Sequence, residues 1–159
     1  MPLWDWAPWQ VHVALVVMVP VCLIPAFSNV QPNPFSFGGN RNDRFDPARP
    51  GIVRWSRHPL LLALVLWAAA HVVPNGDLAH VAPFGIFATF ALLGGRLIDH
   101  RKSHEIWADW QRLRMAVKGA PITAWSVSGD TLLRLAAGIM LYATLLWSHP
   151  ILFGFSPLP

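Results

Sequence analysis

The stretch WSRHPLLLALVLWAAAHVVPNGD, residues 55–77, decides the fold class of this chain. It begins with a basic RHP tripeptide, continues through an apolar run and ends in a Pro-Asn-Gly turn. Proline is tolerated in the first turn of a helix and stops a helix near its end, so this pattern predicts one helix over about residues 59–74. His71 is the only ionisable side chain in that helix. An ionisable group in so apolar a segment is often functional, which makes His71 the first candidate residue.

The composition is that of a membrane protein. Of the 159 residues, 54% are hydrophobic and only 13% are charged, whereas about 25% of the residues of a soluble domain are charged. The net charge of +4 is not accompanied by a nucleic-acid-binding motif, so we expect no nucleic-acid partner. The single cysteine, Cys22, excludes a disulfide or a thiolate metal cluster within the chain.

Four apolar runs match the thickness of a lipid bilayer. At ~1.5 Å per residue they cover roughly 24 to 32 Å, close to the ~30 Å hydrocarbon core. They lack the alternating pattern of a β-barrel, and backbone groups in lipid must be satisfied within the segment, so we expect helices. The expected fold class is all-α, a polytopic transmembrane helix bundle in one domain over residues 1–159. The four membrane helices are predicted at about 11–28, 59–74, 78–98 and 130–148.

A further, amphipathic helix is predicted over about residues 103–117. Its apolar residues recur at three- and four-residue spacing, which is typical of a helix with one apolar face. Such a helix either lies along the cytoplasmic surface of the membrane or connects two membrane helices with its apolar face against the bundle. The apolar residues are Ile106, Trp107, Trp110, Leu113 and Val117.

The distribution of basic residues predicts the orientation of the chain in the membrane. All twelve lysines and arginines lie within residues 41–57 and 96–134. By the positive-inside rule, the two long loops are therefore cytoplasmic and both termini face outward. The N terminus lacks the basic region and the cleavage site of a signal peptide, so we expect the first apolar run to be retained.

Four of the seven histidines are predicted to lie at the outer ends of the four membrane helices. They are His12, His71, His80 and His149. The first two helices are antiparallel, so His12 and His71 reach similar depth, as two axial ligands of a haem between helices require. His80 and His149 are further candidate ligands, and an interhelical hydrogen bond or contact with water is the alternative for each histidine. Asp77 is expected to cap the third helix, with orientation of the His80 imidazole as the alternative.

Three other residues of the segment 55–77 are additional candidates for binding a cofactor. Trp67 shares a helix face with His71, and this face suits an apolar macrocycle or a neighbouring helix. Arg57 and His58 lie at the predicted inner headgroup level, where they can hold haem propionates or a lipid phosphate, or serve only as anchors. His58 and His71 are thirteen residues apart, which is ~20 Å along a helix, so they cannot both ligate one iron.

Several motifs resemble those of the NnrU family of bacterial multi-pass membrane proteins. They are VQPNPFSF (30–37), DPARPGIVRWSRHPLLLALVLWAAAHVVPNGDLA (46–79), LIDHR (97–101) and LLWSHPILFGFSP (145–157). The resemblance covers nearly the whole chain, and the block RHP…LWAxAHxxxNGD is its most specific part. The family is named for its link to nitrate and nitric oxide metabolism. The resemblance therefore implies a role linked to nitric oxide or denitrification in a bacterial inner membrane.

The NnrU family is related to 15-cis-zeta-carotene isomerase, a membrane enzyme that uses histidine-bound haem b and isomerises a polyene. The isomerase has an RHP motif followed thirteen residues later by a histidine, so the resemblance implies that His71 is an axial haem ligand. It does not transfer the substrate. Family members usually begin with two further membrane segments, the first of which carries a histidine implicated in haem binding. The second ligand is therefore expected from His12, from a partner membrane chain that supplies these helices, or from a longer N terminus.

Three functions remain open from the sequence. The first is a haem-b protein with isomerase-like or nitric-oxide-linked redox chemistry, whose candidate ligands are a polyene and nitric oxide. The second is a cofactor-free structural or assembly subunit of a larger membrane complex. The third is a membrane methyltransferase of the isoprenylcysteine type, which also carries RHP but resembles this chain less, because Leu60 replaces a tyrosine and Glu105 is the sole glutamate. No motif for nucleotide hydrolysis, covalent haem attachment, zinc proteolysis or serine hydrolysis occurs.

Overall fold

The computed structural model describes residues 1–29, 31–37, 41–105, 107–122 and 129–158. Within these residues it contains five α-helices and no β-strand, which confirms the predicted all-α class. The long loop after the first helix contains two short 3-10 turns, Asn42–Arg44 and Gly51–Arg54. The helices are α1 (Pro8–Ser28), α2 (Pro59–Val72), α3 (Leu78–Glu105), α4 (Trp107–Gly119) and α5 (Gly129–Phe153).

Three of these helices are long and apolar enough to cross a membrane. α1, α3 and α5 contain 21, 28 and 25 residues, and only 6% of the most apolar 18-residue window of each is buried inside the protein. α2 contains 14 residues, which corresponds to ~21 Å and falls short of the ~30 Å hydrocarbon core. It ends at Val72 with Val73 as its C-cap, because Pro74 follows and has no N–H to continue the helical hydrogen bonds. Three membrane-spanning helices are therefore supported, and the predicted fourth span is not confirmed.

Two helices extend beyond their predicted ends. The sequence predicts a third helix that ends near residue 98, whereas α3 continues to Glu105. The added segment contains neither proline nor glycine, and Arg101 and Lys102 donate hydrogen bonds to the Glu105 carboxylate at 2.6 and 3.0 Å. Such i,i+4 and i,i+3 pairs stabilise the extra turns. α5 likewise continues beyond residue 148 and stops before Gly154, whose φ of 79° favours glycine.

The apolar face of α4 packs against the protein itself. Trp110 and Val117 are 3% and 5% exposed and form a buried cluster with Phe35 and Val53 of the loop between α1 and α2. The rings of Phe35 and Trp110 lie edge to face, with centroids 5.1 Å apart. These contacts favour a connecting helix over one whose apolar face lies in the membrane surface. Ile106, which the pattern assigns to the same face, lies outside the described residues.

α1 is the central helix of the bundle. It packs against both α2 and α5, and α2 packs in turn against α3, so the helices follow the order α3, α2, α1, α5. Gly138 of α5 allows the closest approach, because a Cβ atom there would lie 2.7 Å from Leu23 Cδ2 and 3.2 Å from Leu23 Cα of α1. Small residues commonly allow membrane helices to pack this closely. The space between α2 and α5, beside α1, opens as a cavity.

The N-terminal segment lies against the turn between α2 and α3. The Leu3 N–H donates to the Gly76 carbonyl at 2.6 Å, and the indole N–H of Trp4 donates to the Val73 carbonyl at 3.1 Å. A Cβ atom on Gly76 would collide with the backbone carbonyl of Trp4, so this approach requires glycine. The N terminus and the α2–α3 turn therefore lie at the same end of the bundle.

Candidate functional site

A cavity of about 650 Å³ lies between α1, α2 and α5, at the end of the bundle where the N terminus lies. Its volume is within the range of pockets that hold small molecules and cofactors. Most of its wall is apolar, with a few polar groups from α2, α5 and the C-terminal tail. We call it the histidine cavity because its wall includes His71 of α2 and His149 of α5. Other lining residues are Val11, Leu15, Met18, Asn75, Tyr142, Leu146, Phe155 and Ser156.

His71 is held with one ring nitrogen occupied and the other available. Its Nδ1–H donates to the Trp67 carbonyl one helical turn earlier, at 2.8 Å. A neutral imidazole with its proton on Nδ1 presents Nε2 as an acceptor or metal ligand. The rings of Trp67 and Phe84 pack against the imidazole, with centroids 4.9 and 5.2 Å away. Trp67 therefore orients His71, and its own side chain does not line the histidine cavity.

His149 has the same hydrogen-bonding arrangement. Its Nδ1–H donates to the Phe155 carbonyl at 3.0 Å, so Nε2 is its available ring nitrogen. Phe155 reaches this position because the chain reverses at Gly154, in the left-handed region of φ. The rings of Phe153 and Phe155 lie 4.8 and 4.9 Å from the imidazole. The C-terminal tail thus fixes the orientation of this histidine.

The other two predicted histidines lie outside the histidine cavity. His12 is exposed and bonds through Nδ1 to the Pro8 carbonyl at 3.1 Å, although its neighbour Val11 lines the cavity. His80 is exposed, and its Nδ1 lies 2.5 Å from Asp77 Oδ2. Asp77 also caps α3 by accepting the backbone N–H of His80 at 3.2 Å, so it fulfils both of its predicted roles. The His80 imidazole lowers the pKa of Asp77 below its usual value. The structure therefore places two of the four outer histidines, His71 and His149, in one cavity.

The opposite end of α2 carries a polar cluster formed by Asn33, Ser36, Arg57, His58 and Asp99. Arg57 donates from Nη2 to Asp99 Oδ2 at 2.5 Å and from Nε to Oδ1 at 3.2 Å, which is a two-point ion pair. His58 Nε2 donates to Asp99 Oδ1 at 2.9 Å, and the Ser36 hydroxyl lies 3.0 Å from His58 Nδ1. Asn33 Nδ2 donates to the Arg57 carbonyl at 2.9 Å. The polar cluster joins the α1–α2 loop, the start of α2 and the far end of α3.

This cluster gives Arg57 and His58 partners within the chain. Neither residue lines the histidine cavity, and their role in holding haem propionates stays a prediction. Sequence reasoning missed Asp99 and the two loop residues as their partners. The sequence did contain a signal for these partners. Asn33 and Ser36 lie in the motif VQPNPFSF and Asp99 lies in the motif LIDHR, and both motifs carry the same family resemblance as RHP.

The donor set of the histidine cavity fits a haem better than a bare metal ion. The described residues contain no group of three or more His, Cys, Asp or Glu side chains that could hold a metal ion, whereas a structural zinc site uses four such ligands. A haem iron needs only one or two axial side chains, because the macrocycle supplies its other ligands. An apolar cavity with imidazoles held through Nδ1 meets that requirement, since a ligating histidine commonly donates its other N–H to a carbonyl.

Comparison with known proteins identifies the family. The family model described as NnrU protein matches residues 1–157. No curated protein and no solved structure matches the chain. The match covers nearly the entire sequence, and the chain therefore belongs to the NnrU family.

Proposed function

We propose that this NnrU-family protein is a haem-b-binding membrane protein in which His71 is an axial ligand of the iron. One observation carries the proposal. His71 lines an apolar cavity of cofactor size, and its Nδ1 is bonded to the Trp67 carbonyl, so Nε2 is the ring nitrogen left for a ligand. Because Nδ1 is held within its own helix, the orientation of His71 is set before any ligand binds.

The cavity wall supports an apolar occupant with few polar contacts. Val11, Leu15 and Met18 of α1 and Leu146 of α5 supply apolar surface that excludes water. Asn75 of the α2–α3 turn and Ser156 of the tail are polar residues of the cavity wall, and they can contact the polar edge of such an occupant. A bound haem b supplies an iron that changes oxidation state and binds nitric oxide. The residues of this chain hold the group, orient His71 and limit access to it.

The chemistry follows from the family and from the apolar wall. We propose an isomerase-like or nitric-oxide-linked redox role, with a polyene or nitric oxide as the ligand beside the haem. An apolar cavity favours both, because neither ligand requires a charged partner. We assign this chemistry to the histidine cavity rather than to the polar cluster, because Arg57 and His58 pair with Asp99 and do not line the cavity.

We also propose how the chain lies in the membrane. α1, α3 and α5 are the three apolar spans, and α2 crosses as a fourth with the help of its flanking residues and of its contacts with α1 and α3. All twelve basic residues then lie in or next to the two long loops, which places these loops in the cytoplasm of a bacterial inner membrane and the termini outside. A Cys22→Ser background with Ser156→Cys or Ser103→Cys tests this orientation. An impermeant thiol reagent should label the Ser156→Cys variant in intact cells, and labelling of Ser103→Cys would contradict it.

The experiment for haem binding uses the full chain, purified in detergent after expression with added haem precursor. We expect a Soret band and a pyridine haemochrome of haem b in the wild type, and loss of most of both in His71→Ala. His12→Ala is the matched control, because it removes an exposed histidine of α1 outside the cavity, and it should keep its haem. A wild-type protein without haem, or a His71→Ala variant with an unchanged spectrum, would overturn the proposal.

A second candidate is a cofactor-free assembly subunit that binds a partner membrane chain. Large apolar side chains are exposed along α3 and α5, including Ile86, Phe90, Leu133 and Met140, and these faces can contact another helix as readily as lipid. Stoichiometric co-purification of a partner chain without any pigment would favour this candidate over haem binding.

A further inference from the structure

We propose that His149 is the second axial ligand, paired with His71. This inference rests on the proposed haem binding and concerns the same cavity. The sequence places His12 first for this role because of its depth in the membrane. Depth is shared by several residues on different faces of a helix, so it does not select the ligand.

Both histidines share one location in the fold. His71 and His149 both line the histidine cavity. They come from α2 and α5, which are the two neighbours of α1. His12, in contrast, is exposed on α1 and is absent from the cavity wall. Only α2 and α5 therefore bring a histidine to this cavity within the part of the chain that the structure describes.

The imidazoles of His71 and His149 are also oriented in the same way. Both imidazoles use Nδ1 to donate to a backbone carbonyl, at 2.8 Å for His71 and 3.0 Å for His149. Both therefore offer the same nitrogen, Nε2, for a ligand. The carbonyl that holds His149 belongs to Phe155, which follows the chain reversal at Gly154. The tail is thus folded back so that a backbone group meets this imidazole.

Aromatic side chains pack around His149 as they do around His71. The rings of Phe153 and Phe155 pack beside the imidazole of His149, as Trp67 and Phe84 pack beside His71. Aromatic neighbours on each histidine restrict ring rotation, so little orientational freedom is lost when a ligand binds. A pair of axial imidazoles makes the haem iron six-coordinate and low-spin, and loss of one imidazole leaves a five-coordinate, high-spin iron.

Spectroscopy of the haem-loaded protein separates this inference from the proposed function. We expect ferric wild type to show a low-spin, bis-imidazole signature in electron paramagnetic resonance and near-infrared magnetic circular dichroism. His149→Ala should keep its haem through His71 but convert the low-spin signal to high-spin, and added imidazole should restore the low-spin form. His12→Ala and His80→Ala, which remove exposed histidines, should keep the wild-type signature.

A conservative variant covers the case in which His149→Ala does not fold. In His149→Met the thioether replaces the imidazole, and we expect the spectroscopic signature of histidine–methionine ligation in place of the bis-imidazole signature. Low-spin bis-imidazole haem in either His149 variant would overturn the inference while leaving haem binding intact. High-spin haem in the wild type would do the same, whereas a wild type without haem would overturn the proposed function itself.

Discussion

The two ends of α2 each carry a histidine, and the two histidines differ in what remains unpaired. At the start of α2, His58 has both ring nitrogens engaged, one by Asp99 and one by Ser36. Near its end, His71 hydrogen-bonds through Nδ1 alone among the residues that the structure describes. His58 is therefore hydrogen-bonded through both ring nitrogens, whereas His71 keeps Nε2 available for a ligand. We therefore select His71 over His58 as the candidate ligand on two grounds, an unpaired ring nitrogen and a place in the cavity wall.

The largest expected effect comes from breaking the polar cluster with Asp99→Ala. This change leaves the Arg57 charge and the His58 imidazole without their shared partner in a half-buried site. Removing one partner of a buried pair costs roughly 3 to 5 kcal/mol, and the partial exposure here reduces the expected loss to about 2 to 3 kcal/mol. Thermal unfolding in detergent, followed by circular dichroism, measures the loss.

Asp109→Ala is the matched control for that variant. Asp109 also accepts from an arginine, Arg112, at 2.6 Å, but both side chains are well exposed. An exposed pair contributes only about 0.2 to 1 kcal/mol. Equal destabilisation by the two alanine variants would show that the polar cluster contributes no more than a surface ion pair.

A smaller effect is expected where α5 meets α1. In Gly138→Ala the new methyl group would press on Leu23, both on its side-chain end and on its backbone. Overpacking of this kind costs about 1 to 3 kcal/mol. Because α5 carries His149, the variant should also lower the low-spin fraction of bound haem, whereas Asp99→Ala should leave that fraction unchanged in the molecules that remain folded.

Gly85→Ala tests whether the effect belongs to the contact rather than to glycine replacement. Beyond the adjoining part of α3 itself, no atom of the described residues lies within 4 Å of a Cβ at Gly85, so this change should be neutral or stabilise the helix by roughly 0.5 to 1 kcal/mol. If Gly138→Ala were as stable as Gly85→Ala, the close packing of α1 against α5 would not require glycine at position 138.

The smallest expected effect is a difference in haem affinity between variants at two phenylalanines of α3. Phe84 packs on both Trp67 and His71, whereas Phe87 packs on Trp67 with centroids 5.6 Å apart. An aromatic pair contributes about 0.5 to 1.5 kcal/mol, so Phe84→Leu should weaken haem binding several-fold. Phe87→Leu should weaken it less, and haem titration of the two apoproteins measures the difference. A larger loss in Phe87→Leu would contradict the role of Phe84 in holding His71.

The sequence predicts the helices more completely than the contacts between them. Hydropathy places α1, α2 and α5 to within a few residues at their starts, because apolar length is a local property of the chain. The polar extension of α3 to Glu105 is missed, since it depends on helix propensity and ion pairs rather than on hydropathy. The predicted number of four spans is not confirmed, because α2 is strongly apolar but only 14 residues long.

Prediction of the candidate site from the sequence is limited in the same way, because contacts between helices are not a local property of the chain. Topology predicts the depth of a histidine, but which face of the helix it occupies depends on packing against other helices. The sequence therefore ranks His12 ahead of His149 on depth alone, whereas in the structure His149 lines the cavity and His12 does not. The pairing of Arg57 with Asp99 spans 42 positions and has no local signal.

The haem content of folded protein tests the contrast between the two ends of α2 most directly. The pyridine haemochrome of wild type, His58→Ala and His71→Ala should be measured per folded protein, with all three purified from cells supplied with haem precursor. The account predicts near-stoichiometric haem b in wild type and in the folded fraction of His58→Ala, and almost none in His71→Ala. Haem loss in His58→Ala with retention in His71→Ala would reverse the assignment of the two ends, and a wild type without haem would contradict the account as a whole.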